Sequence, residues 1–238
     1  MKQFALVLPA VAALILGVAG CGGDLTLPAT PPPGLSLAVL DGDDQTGTVG
    51  QPLQNPVVVV VTTAAEVPIP DRQVVFMVTG NGGAFDPDTA VTDAQGKALT
   101  HWVLGTVPGL YSGVAKVVAQ DDSAAPVEFQ ATANAGAPDS VRADSPSIQS
   151  GRRGEPVDEP LVVVVVDRYG NPVPDVQVEW KVEEGNGELS PASGTVTDAD
   201  GRSGVIWTLG NRIGIQQAKA EVKDLIGSPV TFSATVLF

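Results

Sequence analysis

One cysteine, one histidine and only 13 lysines and arginines are spread over 238 residues, and each scarcity closes a class of function. A lone Cys21 cannot form a disulfide within the chain, and an odd cysteine in an exported protein needs its own explanation. A single histidine, His101, cannot build a His-rich or Cys/His zinc centre or supply Cys/His nucleophilic catalysis. The few basic residues face 27 aspartates and glutamates, for a net charge of −14 at pH 7. That balance argues against nucleic acid, whose phosphates demand neutralising Lys and Arg, and it repels an anionic membrane surface. No enzyme and no cofactor are expected, since carboxylate pairs in so acidic a chain carry no information by themselves.

Long apolar runs are also missing, except at the start. Met1-Lys2-Gln3 leads into Phe4–Val18, interrupted only by Pro9, and then Ala19, Gly20 and Cys21. A positive start, a short apolar stretch and small residues at a cleavage site make a secretory signal over residues 1–20, too short for a span of about 20 apolar residues. Val18-Ala19-Gly20-Cys21 resembles the lipobox of bacterial lipoproteins. That resemblance implies an acylated Cys21 as the mature N-terminus and the lipid bilayer as a partner. Several chains are needed for stable anchoring, because each buried CH₂ contributes only about 0.8 kcal/mol. Gly22 stands where an inner-membrane retention signal has Asp, so the expected address is the bacterial cell envelope, at the outer membrane. Residues 21–34, rich in Gly and Pro, read as a tether extending at about 3.1 Å per residue through its proline run.

What the chain has in quantity is glycine and proline, 27 and 20 residues, placed between valine-rich runs without the period of collagen. Short β-branched runs punctuated by turn residues predict an all-β fold. The pattern also occurs twice. Gly50-Gln51-Pro52, Thr92-Asp93-Ala94-Gln95-Gly96 and Trp102 return as Gly154-Glu155-Pro156, Thr197-Asp198-Ala199-Asp200-Gly201 and Trp207. The spacing between copies lengthens by one residue on the way, as one inserted loop residue would explain. Two modules are expected, 35–134 and 135–238, each large enough for its own core and suited to a seven-stranded sandwich. The second repeat runs to Phe238, so no further domain is expected in this sequence.

Val57–Val61 and Leu161–Val166 predict strands with little solvent on either face. Val178, Trp180 and Val182 alternate with Glu179 and Lys181, and Val74, Phe76 and Val78 make the matching core face of the first copy. Gly80-Asn81-Gly82 and Gly185-Asn186-Gly187 mark tight turns, and the Thr-Asp-Ala-x-Gly segments predict turns closed by local side-chain bonds. Trp102 and Trp207 are expected in the core, with His101 facing outward. Asp167–Pro174 is a Gly-Asn-Pro turn whose counterpart, Thr63–Pro70, keeps the prolines but lacks Gly-Asn.

These strands and turns resemble the bacterial immunoglobulin-like domains of group 1, the invasin and intimin type. The resemblance rests in the second copy on Asp167, Gly170, Asn171, Pro172, Pro174, Trp180, Gly185, Gly187, Thr197, Asp198, Gly201 and Trp207. In the first copy it rests on Pro68, Pro70, Phe76, Gly80, Gly82, Thr92, Asp93, Gly96 and Trp102. It implies two tandem Ig-like β-sandwiches used as an extracellular stalk or spacer, with an adhesin-like module recognising a protein or glycan as the alternative. Tyr169 and Asn171, with Tyr111, are the candidate binding-loop residues, because neither tyrosine falls on a clear core-face pattern. Calcium is the one metal to consider, through Asp41, Asp43 and Asp44, Asp121 and Asp122, or Asp198 and Asp200. None of these has the ligand spacing of a complete calcium loop, which must supply six to eight oxygens. A calcium-bound joint would need acids from both modules near Gly136.

Overall fold

A computed structural model of the protein describes residues 34–118 and 124–237. The signal segment, Cys21, the tether, Asp121 and Asp122 lie outside the described residues. The first module contains β1 (Leu35–Asp41), β2 (Gln45–Thr48), β3 (Val57–Thr63), β4 (Gln73–Gly80), β5 (Ala84–Asp86), β6 (Thr89–Val91), β7 (Lys97–Val103), β8 (Gly109–Val117) and β9 (Val127–Asn134). The second contains β10 (Pro138–Ala143), β11 (Ile148–Arg152), β12 (Leu161–Asp167), β13 (Gln177–Glu184), β14 (Glu188–Ser190), β15 (Thr195–Val196), β16 (Arg202–Thr208), β17 (Gly214–Glu221) and β18 (Val230–Leu237).

Each module is a sandwich of a four-stranded and a five-stranded sheet. The orders are β1-β3-β7-β5 with β2-β9-β8-β4-β6, and β10-β12-β16-β14 with β11-β18-β17-β13-β15. Alternating side chains fill the space between the sheets, as face-to-face packing requires. The nine strands per module among the described residues replace the seven expected, because two stretches of each copy change sheets midway. In the first copy β1 pairs with β3, the chain crosses at Gly42-Asp43-Asp44, and β2 then runs parallel to β9 in the other sheet. Gly42 and Asp44 take φ of 84 and 53° there, a region open to Gly and tolerated by Asp. Pro87, which has no N–H for a ladder, similarly divides β5 on β7 from β6 on β4.

The predicted core faces hold. Val74, Phe76, Val178 and Trp180 are buried, and Trp102 and Trp207 are wholly inaccessible. Phe76, Phe85, Trp102, Tyr111 and Phe129 form one aromatic cluster in the first core, with Phe85 and Trp102 centroids 4.9 Å apart. Strand register aligns Phe85 opposite Trp102 and Leu189 opposite Trp207, so leucine replaces phenylalanine in the second core. The first core makes room for the larger ring at Gly113, where a Cβ would lie 2.6 Å from Phe129 and 2.8 Å from Phe85. The second module has Ala218 at that place. Volume is thus conserved across the pair of positions, which interiors near crystal density demand.

Outward faces diverge. Met77 pairs with Val114 on the first module, while the same pair on the second is Lys181 and Lys219, whose amines flank Glu183 at 3.4 and 3.0 Å. Those two lysines hold the exposed Glu183 carboxyl below its usual range.

Two turns behave differently at the level of single residues. The Thr-Asp-Ala-x-Gly turns close as expected: Asp93 Oδ1 accepts from the N–H of Gln95 and Lys97, and Asp198 Oδ1 from Asp200 and Arg202. The hydroxyls of Thr92 and Thr197 donate to Ile69 O and Val173 O at 2.8 Å each, tying this turn to the neighbouring loop. The glycine turns, by contrast, align one residue away from the sequence match. Asn81 and Gly185 share the left-handed conformation, at φ of 55 and 95°. The backbone of β7 or β16 and the following loop likewise confronts Gly83 and Gly187. The inserted residue of the second copy therefore falls at 192–194, between Pro191 and β15.

Candidate functional site

The loop Asp167–Pro174, which differs in chemistry from its counterpart Thr63–Pro70, lies where the two modules meet. Asp167 ends β12 and is buried, at 2% relative exposure. Its Oδ1 accepts from the N–H of Tyr169 and Asn171, at 2.8 and 2.9 Å. Thr63, the counterpart in the first module, makes the same two bonds from its hydroxyl oxygen to Ala65 and Val67. Closing the turn needs one oxygen, which either residue supplies.

Asp167 has a second oxygen, and it builds the joint. Oδ2 accepts from Gly136 N in the connecting segment, at 2.8 Å, and from Asn171 Nδ2, at 2.9 Å. The same Asn171 amide donates its other hydrogen to Thr106 O of the first module, at 2.8 Å. Burial pushes the Asp167 pKa up, but the Asn171 amide and the N–H groups of Gly136, Asn171 and Tyr169 outweigh it and hold the carboxyl below the usual aspartate range. Hydrogen bonds to the charged form act in this direction.

Tyr169 lies on the neighbouring side of the joint. Arg168 stacks over its ring with Cζ 4.6 Å from the centroid, and its hydroxyl also accepts from Arg168 Nη2. The hydroxyl packs on Gly50, leaving no space for a side chain at that position. A cleft of about 270 Å³ opens here between Thr48, Gln51, Pro138 and Tyr169. A second, of about 530 Å³, lies between Pro108, Asn134 and Pro172–Pro174. Both are lined from the two modules.

Tyr111 is a correction. It is wholly buried on β8, and its hydroxyl donates to Val107 O at 2.7 Å, so it offers a partner no surface. Its bond braces the loop that carries Thr106, the acceptor for Asn171. The three candidate residues thus converge on one joint, two from above and Tyr111 from beneath. Sequence reasoning missed Gln216, the counterpart of Tyr111 on β17. Gln216 is also wholly buried and bonds Gly210 N, Gly210 O and Arg212 O at 2.9, 3.1 and 2.8 Å. A glutamine among alternating small residues carries no signal of that role.

The acidic clusters serve turns. Asp41 Oδ1 accepts from Gly42 N, and Asp43 Oδ1 from Asp44 N and Gln130 N. Asp167 near Gly136 already has its oxygens engaged by four donors. Among the described residues no group of three or more His, Cys, Asp or Glu is placed to hold a metal ion. His101 is exposed on β7, opposite in sense to Trp102. The described residues form an Ig-like fold whose most elaborated side-chain bonding lies where the two modules meet.

Comparisons place that fold. The chain superposes on the Escherichia coli adhesin FdeC with a TM-score of 0.51 at 17% identity, covering 85% of this chain and 63% of that one. Against Yersinia pseudotuberculosis InvD the TM-score is 0.50 at 18% identity, over 85% of this chain and 56% of that one. The chain spans less than two thirds of either structure. No curated protein matches it. Residues 158–235, nearly the whole of the second sandwich, match the bacterial Ig-like domain (group 1) family.

Proposed function

We propose that the chain is an adhesin-type recognition module of the bacterial cell envelope, binding a protein or glycan through its two Ig-like sandwiches. The supporting observation is that both sandwiches together, 85% of the chain, follow the fold of the FdeC adhesin. This favours the recognition reading over the plain spacer that the repeat alone suggests. The Asp167–Asn171 joint fits recognition as well, because holding two modules in one arrangement lowers the ordering cost of binding across both.

Purified protein applied to arrays of immobilised glycans and extracellular proteins tests the reading. Saturable binding to a defined ligand, lost on denaturation, is the expected result. Binding to nothing above an unrelated acidic sandwich protein returns the chain to the spacer role.

Attachment is proposed to be through an acylated Cys21. Cys21→Ala is expected to shift the protein from the membrane pellet to the soluble fraction and to abolish incorporation of an alkyne-tagged palmitate. Unchanged membrane fractionation and labelling would remove the lipid anchor from this account. A single chain holds only reversibly, so multiple acylation is required.

A further inference from the structure

The end of the second module that faces away from the joint rebuilds the surface on which that module is itself seated. In the first module the seat consists of the turn around Gly50 and the loop carrying Thr106. Gly50 N bonds Gly105 O at 2.8 Å, Leu104 N bonds Gln51 O at 3.0 Å, and Tyr111 braces the loop through Val107. In the second module Gly154 N bonds Leu209 O and Leu209 N bonds Glu155 O, both at 2.9 Å, and buried Gln216 braces the loop through Arg212. Gly50 and Gly154 share the same turn conformation, at φ of 68 and 72°. The distal surface keeps the turn-to-loop bonds and the bracing of the one already in use, with two differences: Gly154 N reaches Leu209 O, the counterpart of Leu104 and not of Gly105, and exposed Arg153 stands where Val49 is buried.

Its chemistry is different. Thr48, Val49 and Val107 of the first seat correspond to Arg152, Arg153 and Arg212, all exposed. None of the three has a carboxylate within 4.0 Å among the described residues, the ion pairs of this module being made by Arg142, Lys181, Arg202 and Lys219. Glu155 is the acid of the same turn. Ile213 and Ile215 stand exposed beside them at 44 and 62%. Arginines flanking apolar side chains are the composition of a protein-recognition surface, and a simple polyanion would have no use for the isoleucines.

The internal joint shows what such a seat receives. There Arg168 and Tyr169 of the seated turn line the cleft against Thr48, Val49 and Gln51. A turn seated in the same way on the distal end would bring its counterpart of Arg168 against Arg152 and Arg153. A basic residue there is repelled, whereas a carboxylate can pair with guanidinium in bidentate geometry. We propose that the distal end of the second module seats the docking turn of a further Ig-like module, one with Asp or Glu where this chain has Arg168. The proposal rests on the recognition reading and narrows its partner. A second copy of this chain is not the occupant, since its free turn at Thr63–Pro70 has Ala64 at the deciding position and lacks the Gly-Asn pair.

The test titrates isotope-labelled full-length protein with two cyclic peptides, one of the Asp167–Pro174 sequence and one carrying Arg168→Glu. The Glu peptide is expected to shift the amides of residues 152–155 and 210–215 and to bind roughly tenfold or more tightly than the Arg peptide, a difference worth about 1.4 kcal/mol. In the Arg152→Glu, Arg153→Glu variant the preference should reverse. Equal affinity for both peptides overturns the proposal, as does the absence of shifts at the distal end up to about 5 mM, a concentration already in the weak millimolar regime. A sulfated heparin fragment binding there as well as the Glu peptide also overturns it, in favour of a polyanion site. The two readings fail separately. Array binding that persists in the double variant while the peptides fail sinks only the distal seat; wild-type protein that binds nothing on the arrays sinks the recognition reading whatever the peptides do.

Discussion

Trp207→Ala is expected to unfold the second module and leave the first standing. Trp207 is wholly buried and belongs to a cluster containing Leu161, Val205, Leu209 and Phe232, while the first module's cluster shares no residue with it. Removing a buried indole costs about 3–5 kcal/mol, from lost transfer energy and the cavity left behind. That is a large fraction of the roughly 5–15 kcal/mol of an ordinary domain. At about 4–8 °C per kcal/mol for a domain of this size, the second module's midpoint should fall by roughly 12–40 °C. Calorimetry should then resolve two transitions, with amide spectra of residues 35–134 still dispersed when the second module has melted. A single transition lowered for both modules together would mean that the joint, and not the cores, sets cooperativity.

Asp167→Asn is expected to open the joint without undoing the turn. The retained carbonyl can still accept from Tyr169 N and Asn171 N, as Oδ1 does now. The new amide group, however, would meet two donors, Gly136 N and Asn171 Nδ2, where Oδ2 now accepts both. A buried donor left without its acceptor costs about 1–3 kcal/mol. That cost falls on the bond network reaching Thr106, not on either core. Residual dipolar couplings should therefore need two independent alignment tensors in the variant and one in the wild type. Cleavage within 134–138 should accelerate by on the order of tenfold, tracking the open population.

The same carboxylate makes the joint acid-sensitive. Its folded pKa is depressed, so its contribution is complete above the unfolded value of about 3.9 and is lost as pH falls through the folded value. Wild-type protein should keep one alignment tensor at neutral pH and lose it only below about pH 4, whereas the Asn variant should show two at every pH. A wild-type joint indifferent to acid would assign its rigidity to the packing of Tyr169 on Gly50 instead.

How much of this was readable beforehand depended on whether a residue's neighbours were local. Val178, Trp180 and Val182 announced their face because a strand alternates whatever lies across from it. The Thr-Asp-Ala-x-Gly turns were readable because Asp93 and Asp198 bond to residues two and four positions on. Tyr111 misled for the opposite reason: its bond to Val107 is local, but its burial depends on Trp102, which lies across the sandwich. Gln216 was silent altogether. The strand count was missed because a change of sheet at Gly42 or Pro87 looks, in one dimension, like an ordinary interruption.

By itself the amino-acid sequence determined the all-β class, the two-fold repetition, the core tryptophans and the turn chemistry, since these follow from periods of two and from bonds spanning a few residues. Only the tertiary structure decided that Asp167, Gly136, Asn171 and Thr106 form one joint and that Arg152, Arg153 and Arg212 share one end. Those groupings join residues separated by 31 and 65 positions in the joint. No local propensity encodes such separations; they arise when two cores, each closed on itself, bring their loops to the same place.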